Sequence, residues 1–268
     1  MERYSFGFLL EVWSSESESR KEMLKIVAIA DLHGELPKIP ECDLLLIGGD
    51  VCPVWNHERR YQSRWLRSEF STWLIQQPAK AIVGIGGNHD FVLQESKTLG
   101  YELPWIYLDN SEFEVNGLKI WGSPYSPKFG DWAFMREDRD LVEIWDEIPE
   151  DVNILMVHGP MQGILDYVPS YTYKRVLGTG IGSGPESRDR YVPVPDDGEG
   201  RSVGSSTLRW KLEYGKFSNL KIFVCGHIHE GYGTKEMEGL GDGKLLVINA
   251  SLRDGAYEPV NPPIEFSL

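Results

Sequence analysis

The sequence predicts an α/β fold containing a mixed sheet, and three observations carry that reading. Six short, nearly continuous apolar runs recur: KIVAIAD (25–31), DLLLIGGD (43–50), KAIVGIGGNHD (80–90), NILMVHG (153–159), LKIFVCGH (220–227) and KLLVINAS (244–251). Runs of this length and texture mark strands covered on both faces. Between the second and third, ERRYQSRWLRSEFSTWLIQQ (58–77) sets Tyr61, Trp65, Leu66, Phe70, Trp73 and Leu74 at helical spacing, with Pro78 as the stop. EFEVNGLKIWG (112–122) is a hairpin signal, because Asn116-Gly117 supplies the positive backbone angles of a tight turn. Strands alternating with helices give the α/β class, and the hairpin adds antiparallel pairing.

Taken in order, regular structure is expected to begin at Leu24, where LKIVAIAD is the first compact β-rich run. Residues 1–23 read as an appended arm, although Tyr4, Phe6, Phe8, Leu9, Leu10, Val12 and Trp13 could pack as an edge strand. One domain is expected over residues 24–268. Within it, residues 160–207 are rich in Gly, Pro, Ser and Asp and read as a long loop or lid. Its GTGIGSG neither follows a strand nor opens an apolar-periodic helix, so it is not a dinucleotide fingerprint.

The 268 residues, 41% hydrophobic and 25% charged, are enough for a sizeable core. The excess of 41 acidic over 27 basic residues, a net charge of −14, disfavours nucleic-acid polymers and anionic membranes, unless bound metal ions reverse the local field. The longest apolar runs are strand length, well short of the 18 or more residues of a membrane span. Residues 1–23 lack a basic start followed by an apolar core, so they do not read as a signal peptide. Cys42, Cys52 and Cys225 lie in or beside strand-like runs and are expected to be reduced, buried thiols, which fits a cytoplasmic location.

The chemistry lies where the strand-like runs end. They end in Asp31-Leu32-His33-Gly34, Gly48-Gly49-Asp50, Gly86-Gly87-Asn88-His89-Asp90, His158-Gly159 and Gly226-His227-Ile228-His229. Ligands of open α/β sheets bind beyond the carboxyl ends of strands, where such loops converge. Carboxylate, imidazole and amide oxygen form a mixed hard and borderline ligand set, suited to transition metals rather than to Ca²⁺ alone. Strand-like alternation would let Asp31 and His33 point to one side, and likewise His227 and His229, so that each pair chelates.

The ordered set DxH, GD, GNHD, HG and GHxH, spread over residues 31–229, resembles the calcineurin-like metallophosphoesterase superfamily. GHIHEGYG (226–233) and INAS…NPPIEF (248–266) are similar to its metallophosphoesterase-domain-containing subgroup, near the class III cyclic nucleotide phosphodiesterases. The resemblance implies two mixed β-sheets packed as a sandwich flanked by helices, a four-layer α/β/β/α fold. It also implies one ion held by Asp31, His33, Asp50 and His229 and a second by Asp50, Asn88, His158 and His227, with Asp50 bridging. Two divalent transition-metal ions are therefore expected, Mn²⁺ first, with Fe, Zn²⁺, Co²⁺ or Ni²⁺ as alternatives. Some animal members of the subgroup have glycine at the position of His227, whereas the histidine here keeps both sites complete.

By the same resemblance the catalytic residues are Asp50 and His89, with His89 over the phosphoryl group and off the metals. Many relatives extend GD to GDxxD, whose last Asp orients that histidine. Here Pro53 stands in its place, leaving Asp90 or a backbone carbonyl as the orienting partner. The implied function is a dinuclear phosphodiesterase acting on nucleotides or cyclic nucleotides, with hydroxide between the ions as nucleophile. A phosphomonoesterase, a metal-dependent hydrolase of another bond, or a catalytically weak metal-binding regulatory or scaffold protein are the alternatives. The partner is then a small, nucleotide-like phosphate ester. Tyr125, Trp132, Tyr167, Tyr171 and Tyr173 are candidates to stack on a base, and Arg136, Arg139, Lys174, Arg175 and Arg188 to clamp phosphate, while His57 reads as a surface histidine.

Overall fold

The structure, a computed structural model, describes residues 23–176, 190–195, 198–240 and 243–268. The expected N-terminal arm, apart from residue 23, and the GTGIGSG run lie outside the described residues. In chain order the first half contains β1 (Lys25–Ile29), β2 (Cys42–Ile47), α1 (Arg59–Trp65), a π-helical turn (Leu66–Phe70), α2 (Ser71–Ile75) and β3 (Ala79–Ile85). There follow α3 (Phe91–Glu95), α4 (Lys97–Glu102), β4 (Ile106–Leu108), β5 (Ser111–Val115), β6 (Leu118–Ser123), β7 (Ser126–Pro127) and β8 (Met135–Arg136). A 3-10 turn (Asp138–Leu141) leads into α5 (Val142–Trp145), then β9 (Ile154–Val157), β10 (Tyr167–Val168), β11 (Tyr171–Val176), β12 (Arg190–Pro195), β13 (Arg201–Ser202) and α6 (Ser206–Tyr214). The chain closes with β14 (Ile222–Cys225), a 3-10 turn (His229–Gly231), β15 (Gly233–Leu240), β16 (Gly243–Asn249) and β17 (Ile264–Ser267).

Two mixed sheets result. The first has the order β17-β1-β2-β3-β4, with β1 to β4 parallel and β17 antiparallel. The second has the order β15-β16-β14-β9-β6-β5, with its four inner strands parallel and both edge strands antiparallel. Side chains alternate across each strand, which explains the continuous apolar runs. Ile26, Ala28, Leu44, Leu46 and Val83 of the first sheet pack with Ile120, Ile154, Met156 and Val224 of the second. The opposite set, Val27, Ile29, Leu45 and Ile47, packs under Trp65, Leu66, Phe70 and Leu93 of the helical side. On the far side, Leu155, Val157 and Phe223 meet Ile144, Trp145, Leu208 and Leu212. This is the expected helix, sheet, sheet, helix layering. Each fully buried Leu or Ile contributes about 1.5–3 kcal/mol relative to exposure.

The hairpin forms as expected: β5 pairs with β6 across Asn116 (φ 51°) and Gly117 (φ 72°), the signs a two-residue primed turn requires. The segment expected as a long loop is partly built instead, since β11 pairs with β12 and β10 with β13. Its β-formers, among them Thr172, Tyr173, Val176, Tyr191 and Val192, stand within a composition whose Gly and Pro hid them. Among the described residues no helix is long and apolar enough to cross a membrane.

Candidate metal centre

The carboxyl ends of β1, β2, β3, β9 and β14 meet at one end of the sandwich, where backbone hydrogen bonds tie the strand-end loops together within each sheet and, at Ala30, between the sheets. His33 N donates to Asp50 O (2.9 Å), Asp31 N to Gly49 O (3.0 Å), Gly226 N to His158 O (3.0 Å) and Ala30 N to Ala250 O (2.8 Å). In this web four non-glycine residues hold left-handed backbone: Asp31 (φ 54°), His33 (φ 48°), Asp50 (φ 52°) and His227 (φ 68°). Such conformations cost on the order of 1–3 kcal/mol each and persist where the surroundings impose them. They also correct the expectation of strand-like alternation. Asp31 and His33 converge through turns, and His227 and His229 face different partners instead of chelating together. Glycine is required beside them, because a Cβ on Gly87 would collide with Asp50 Oδ1 and one on Gly226 with Asp31 Oδ2.

Three overlapping triads offer ligand atoms within 4.8 Å of one another: Asp31, His33 and His229; Asp31, Asp50 and His158; His33, Asp50 and His89. His33 Nε2 lies 3.3 Å from His229 Nε2 and 3.7 Å from Asp50 Oδ2. Asp50 Oδ2 lies 3.5 Å from His158 Nε2, and Asp31 Oδ1 lies 3.7 Å from His229 Nε2. Asn88 Oδ1 is approached by His158 Nε2 at 2.9 Å and by His227 Nδ1 at 2.7 Å. Ligands 2.0–2.2 Å from a shared ion stand roughly 3–4 Å apart, so these separations suit a cation. Two imidazole nitrogens facing each other next to carboxylates fit the same reading. The atoms behind the ligands fix their tautomers. His158 Nδ1 donates to Gly48 O at 2.9 Å and His229 Nδ1 to Asp254 O at 3.1 Å, leaving each Nε2 free to bind metal.

The charges agree. Burial depresses His33 and His227 to about 3, so both rings are neutral ligands at physiological pH. Burial alone would raise Asp31, yet its hydrogen bond to His229 and that ring's charge hold it at about 2. Asp50, which burial alone would likewise raise, is held well below the carboxylate range chiefly by His158. His158 goes the other way: burial would lower it, but Asp50 lifts it to about 9.

His89 sits beside the ligands rather than apart from them, since one of its ring nitrogens belongs to a triad with His33 and Asp50. Its backbone N–H donates to Asp50 Oδ1 at 2.7 Å, and its carbonyl accepts from Gln62 Nε2 at 2.7 Å. Asp90 is not its orienting partner. That carboxylate is consumed by the backbone N–H groups of Val51 (3.2 Å), Cys52 (2.8 Å) and Gly87 (2.8 Å), which bracket the β2 and β3 loops. Nor does a backbone carbonyl serve; His89 Nδ1 pairs with His57 Nε2 at 3.1 Å, so His57 is half-buried in the site and not a bland surface residue.

Of the aromatic candidates, Trp132 packs against His89, with ring centroids 4.5 Å apart. Tyr125 packs on Phe134 and under the Arg136 guanidinium, and the exposed Tyr167 accepts a hydrogen bond from Gly200 N. Arg139 pairs at the surface with Asp140. The side chains of Tyr171, Tyr173, Lys174 and Arg175, and the whole of Arg188, lie outside the described residues. Two neighbours escaped the sequence reading. Tyr257 (φ 64°) places its ring 4.6 Å from His229 and 5.2 Å from His33, and Arg253 holds it there by donating to Tyr257 O (2.8 Å) and Leu32 O (2.9 Å). Phe129, 64% exposed, faces His227 at 5.5 Å. Neither lies in a periodic run; for Tyr257 the only signal was its position inside the INAS…NPPIEF segment.

The chain is 30% identical over 275 residues to Metallophosphoesterase domain-containing protein 1 of Homo sapiens, covering 91% of this chain and 71% of that protein. The Mus musculus protein of that name gives the same values. A UPF0046 protein of Caenorhabditis elegans, T07D4.2, is 24% identical over 286 residues, covering 93% of this chain and 61% of that one. Among solved structures, the NAD nucleotidase of Haemophilus influenzae superposes with a TM-score of 0.46 at 13% identity, covering 91% of this chain and 49% of that one. Residues 24–231, which run from the first strand through the last histidine of the cluster, match the family model for calcineurin-like phosphoesterases, and the chain belongs to that family.

Proposed function

We propose that the protein is a two-metal phosphodiesterase acting on nucleotides or cyclic nucleotides. The observation that carries this reading is the placement of Asp50 Oδ2, 3.7 Å from His33 Nε2 and 3.5 Å from His158 Nε2, so that one carboxylate oxygen stands between two groups of ligands. Asp31, His33 and His229 would hold one ion with Asp50, and Asn88, His158 and His227 the other. When bound, such a pair lowers the pKa of water toward neutrality and stabilises the attacking and leaving oxygens of an in-line displacement, with Mn²⁺ the proposed metal. The chain's own residues do the rest. His33 and His227 bind as neutral rings, Gly48 O and Asp254 O keep two further rings in register, and His89 donates a hydrogen bond to the phosphoryl or leaving oxygen as its charge grows.

A cavity of about 540 Å³ opens beside His227 and His229, with Lys128, Phe129, Arg201 and Tyr257 among its walls. A flat exposed ring next to two cations suits a flat, anionic ester such as a nucleotide. A cytoplasmic location is proposed as well, supported by the three free, buried thiols Cys42, Cys52 and Cys225. The test is turnover by Mn²⁺-reconstituted protein on bis-p-nitrophenyl phosphate, p-nitrophenyl phosphate and 2′,3′- and 3′,5′-cyclic nucleotides. Diester hydrolysis exceeding monoester hydrolysis is expected. A monoester preference would overturn the diester assignment, and bound metal without turnover would make the protein a binding module.

A further inference from the structure

We propose that His57 is a positioning residue for His89, selecting the ring tautomer that carries its proton on Nε2. The inference rests on the reading that His89 acts on the phosphoryl group. Two histidines meet nitrogen to nitrogen, His57 Nε2 to His89 Nδ1 at 3.1 Å, and among the described residues no other hydrogen bond reaches either ring. A neutral imidazole has one donor and one acceptor nitrogen, so a pair that bonds directly must divide the roles. If His57 Nε2–H donates, His89 Nδ1 accepts and the His89 proton sits on Nε2, the nitrogen left for substrate. A carboxylate in the same place would do the opposite: it can only accept, so it would draw the proton of a neutral His89 onto Nδ1. A histidine partner, unlike a carboxylate, can donate to His89 Nδ1, and that arrangement makes neutral His89 a hydrogen-bond donor rather than a base.

The surroundings lock both rings. His57 stands edge-on to Trp132 (5.3 Å, 90°) and tilted against Phe91 (5.5 Å), while His89 lies against Trp132 (4.5 Å) and edge-on to His33 (4.7 Å). The backbone of each is also pinned. Glu58 N donates to Asn56 Oδ1 (2.9 Å) just beyond His57, and Gln62 ties His89 O to Val92 N. His57 lies on the loop between β2 and α1, four positions beyond Pro53, so the sequence motif gave no sign of it.

The test uses the full chain. His57→Phe keeps the aromatic packing and loses the hydrogen bond; His57→Gln keeps an amide N–H near the place of Nε2–H. With Mn²⁺ loaded and bis-p-nitrophenyl phosphate as probe, His57→Phe should retain two ions and its KM while kcat falls about 10–100-fold, the usual cost of losing the group behind a functional histidine. His57→Gln should recover most of that loss. Combining His57→Phe with His89→Ala should be no slower than His89→Ala alone, because both act through one ring. In the metal-free protein, long-range ¹H–¹⁵N spectra should show His89 protonated on Nε2, and this signature should change in His57→Phe. A wild-type His89 protonated on Nδ1, a His57→Phe variant with undiminished kcat, one that loses an ion, or a His57→Gln variant as slow as His57→Phe would each overturn the inference. If His89→Ala itself keeps full turnover, the reading of His89 fails instead.

Discussion

Loading metal into the empty protein at pH 7 should expel protons, and His158 sets how many. Burial would depress this ring, but the Asp50 carboxylate at 3.5 Å overrides it and lifts its pKa to about 9. The direction matters for stability. A histidine raised above its usual value stabilises the metal-free fold below pH 6.5, and that contribution fades as pH climbs through about 9. Metal reverses the demand, since it binds only the neutral ring. At pH 7 the ring lies two units below its pKa of about 9, so deprotonating it costs about 2–3 kcal/mol, a roughly 100-fold loss of metal affinity relative to the fully neutral ring. His33 and His227, depressed to about 3, release nothing, and His229 is raised by Asp31 against the effect of burial. Release of about one proton per chain or more is expected. Calorimetry of Mn²⁺ binding in buffers of different ionisation enthalpy counts them. A release near zero at pH 7, with affinity flat between pH 6.5 and 8.5, would refute the His158–Asp50 pairing as drawn.

Asp50→Asn should reduce metal occupancy and turnover more than any other single ligand change, and by more than the about 10–100-fold typical of residues behind a ligand; a larger loss in His33→Ala would show that Asp50 does not bridge. His89→Ala should keep both ions in elemental analysis yet lose about 10²–10³-fold in kcat, the usual effect of one donor on developing charge. That loss should shrink for a nitrophenyl diester relative to an alkyl diester, whose leaving group needs more protonation. Asp90→Ala orphans three buried N–H groups and should cost at least about 3 kcal/mol, or roughly 6–12 °C in melting temperature. A calorimetric shift below 2 °C would mean that water replaces the carboxylate.

The strands could be read from the chain because each inner strand is apolar on both faces, as Ile26 and Val27 show by pointing into different layers. The hairpin was equally legible, since Asn116-Gly117 encodes its own backbone angles. All eight proposed site residues converge at one end, because they stand at the ends of parallel strands whose neighbours are far apart in sequence. How they converge was hidden: left-handed backbone at Asp31, His33, Asp50 and His227 goes with hydrogen bonds between loops far apart in sequence, such as His33 N to Asp50 O and His227 N to Asp31 Oδ2, which no local pattern records. His57, Arg253 and Tyr257 were missed for the same reason. Each lies in a loop and meets a partner distant in sequence, such as Leu32 for Arg253, His89 for His57 and His33 for Tyr257.

The most direct measurement is the Mn²⁺ content of the saturated, desalted protein, read together with its electron paramagnetic resonance spectrum. Two ions per chain are expected, with the spectral signature of exchange between them, because Asp50 Oδ2 lies within 3.7 Å of ligands on both sides. One tightly held ion per chain, or two ions that are magnetically isolated, would contradict a shared carboxylate and with it the two-metal site.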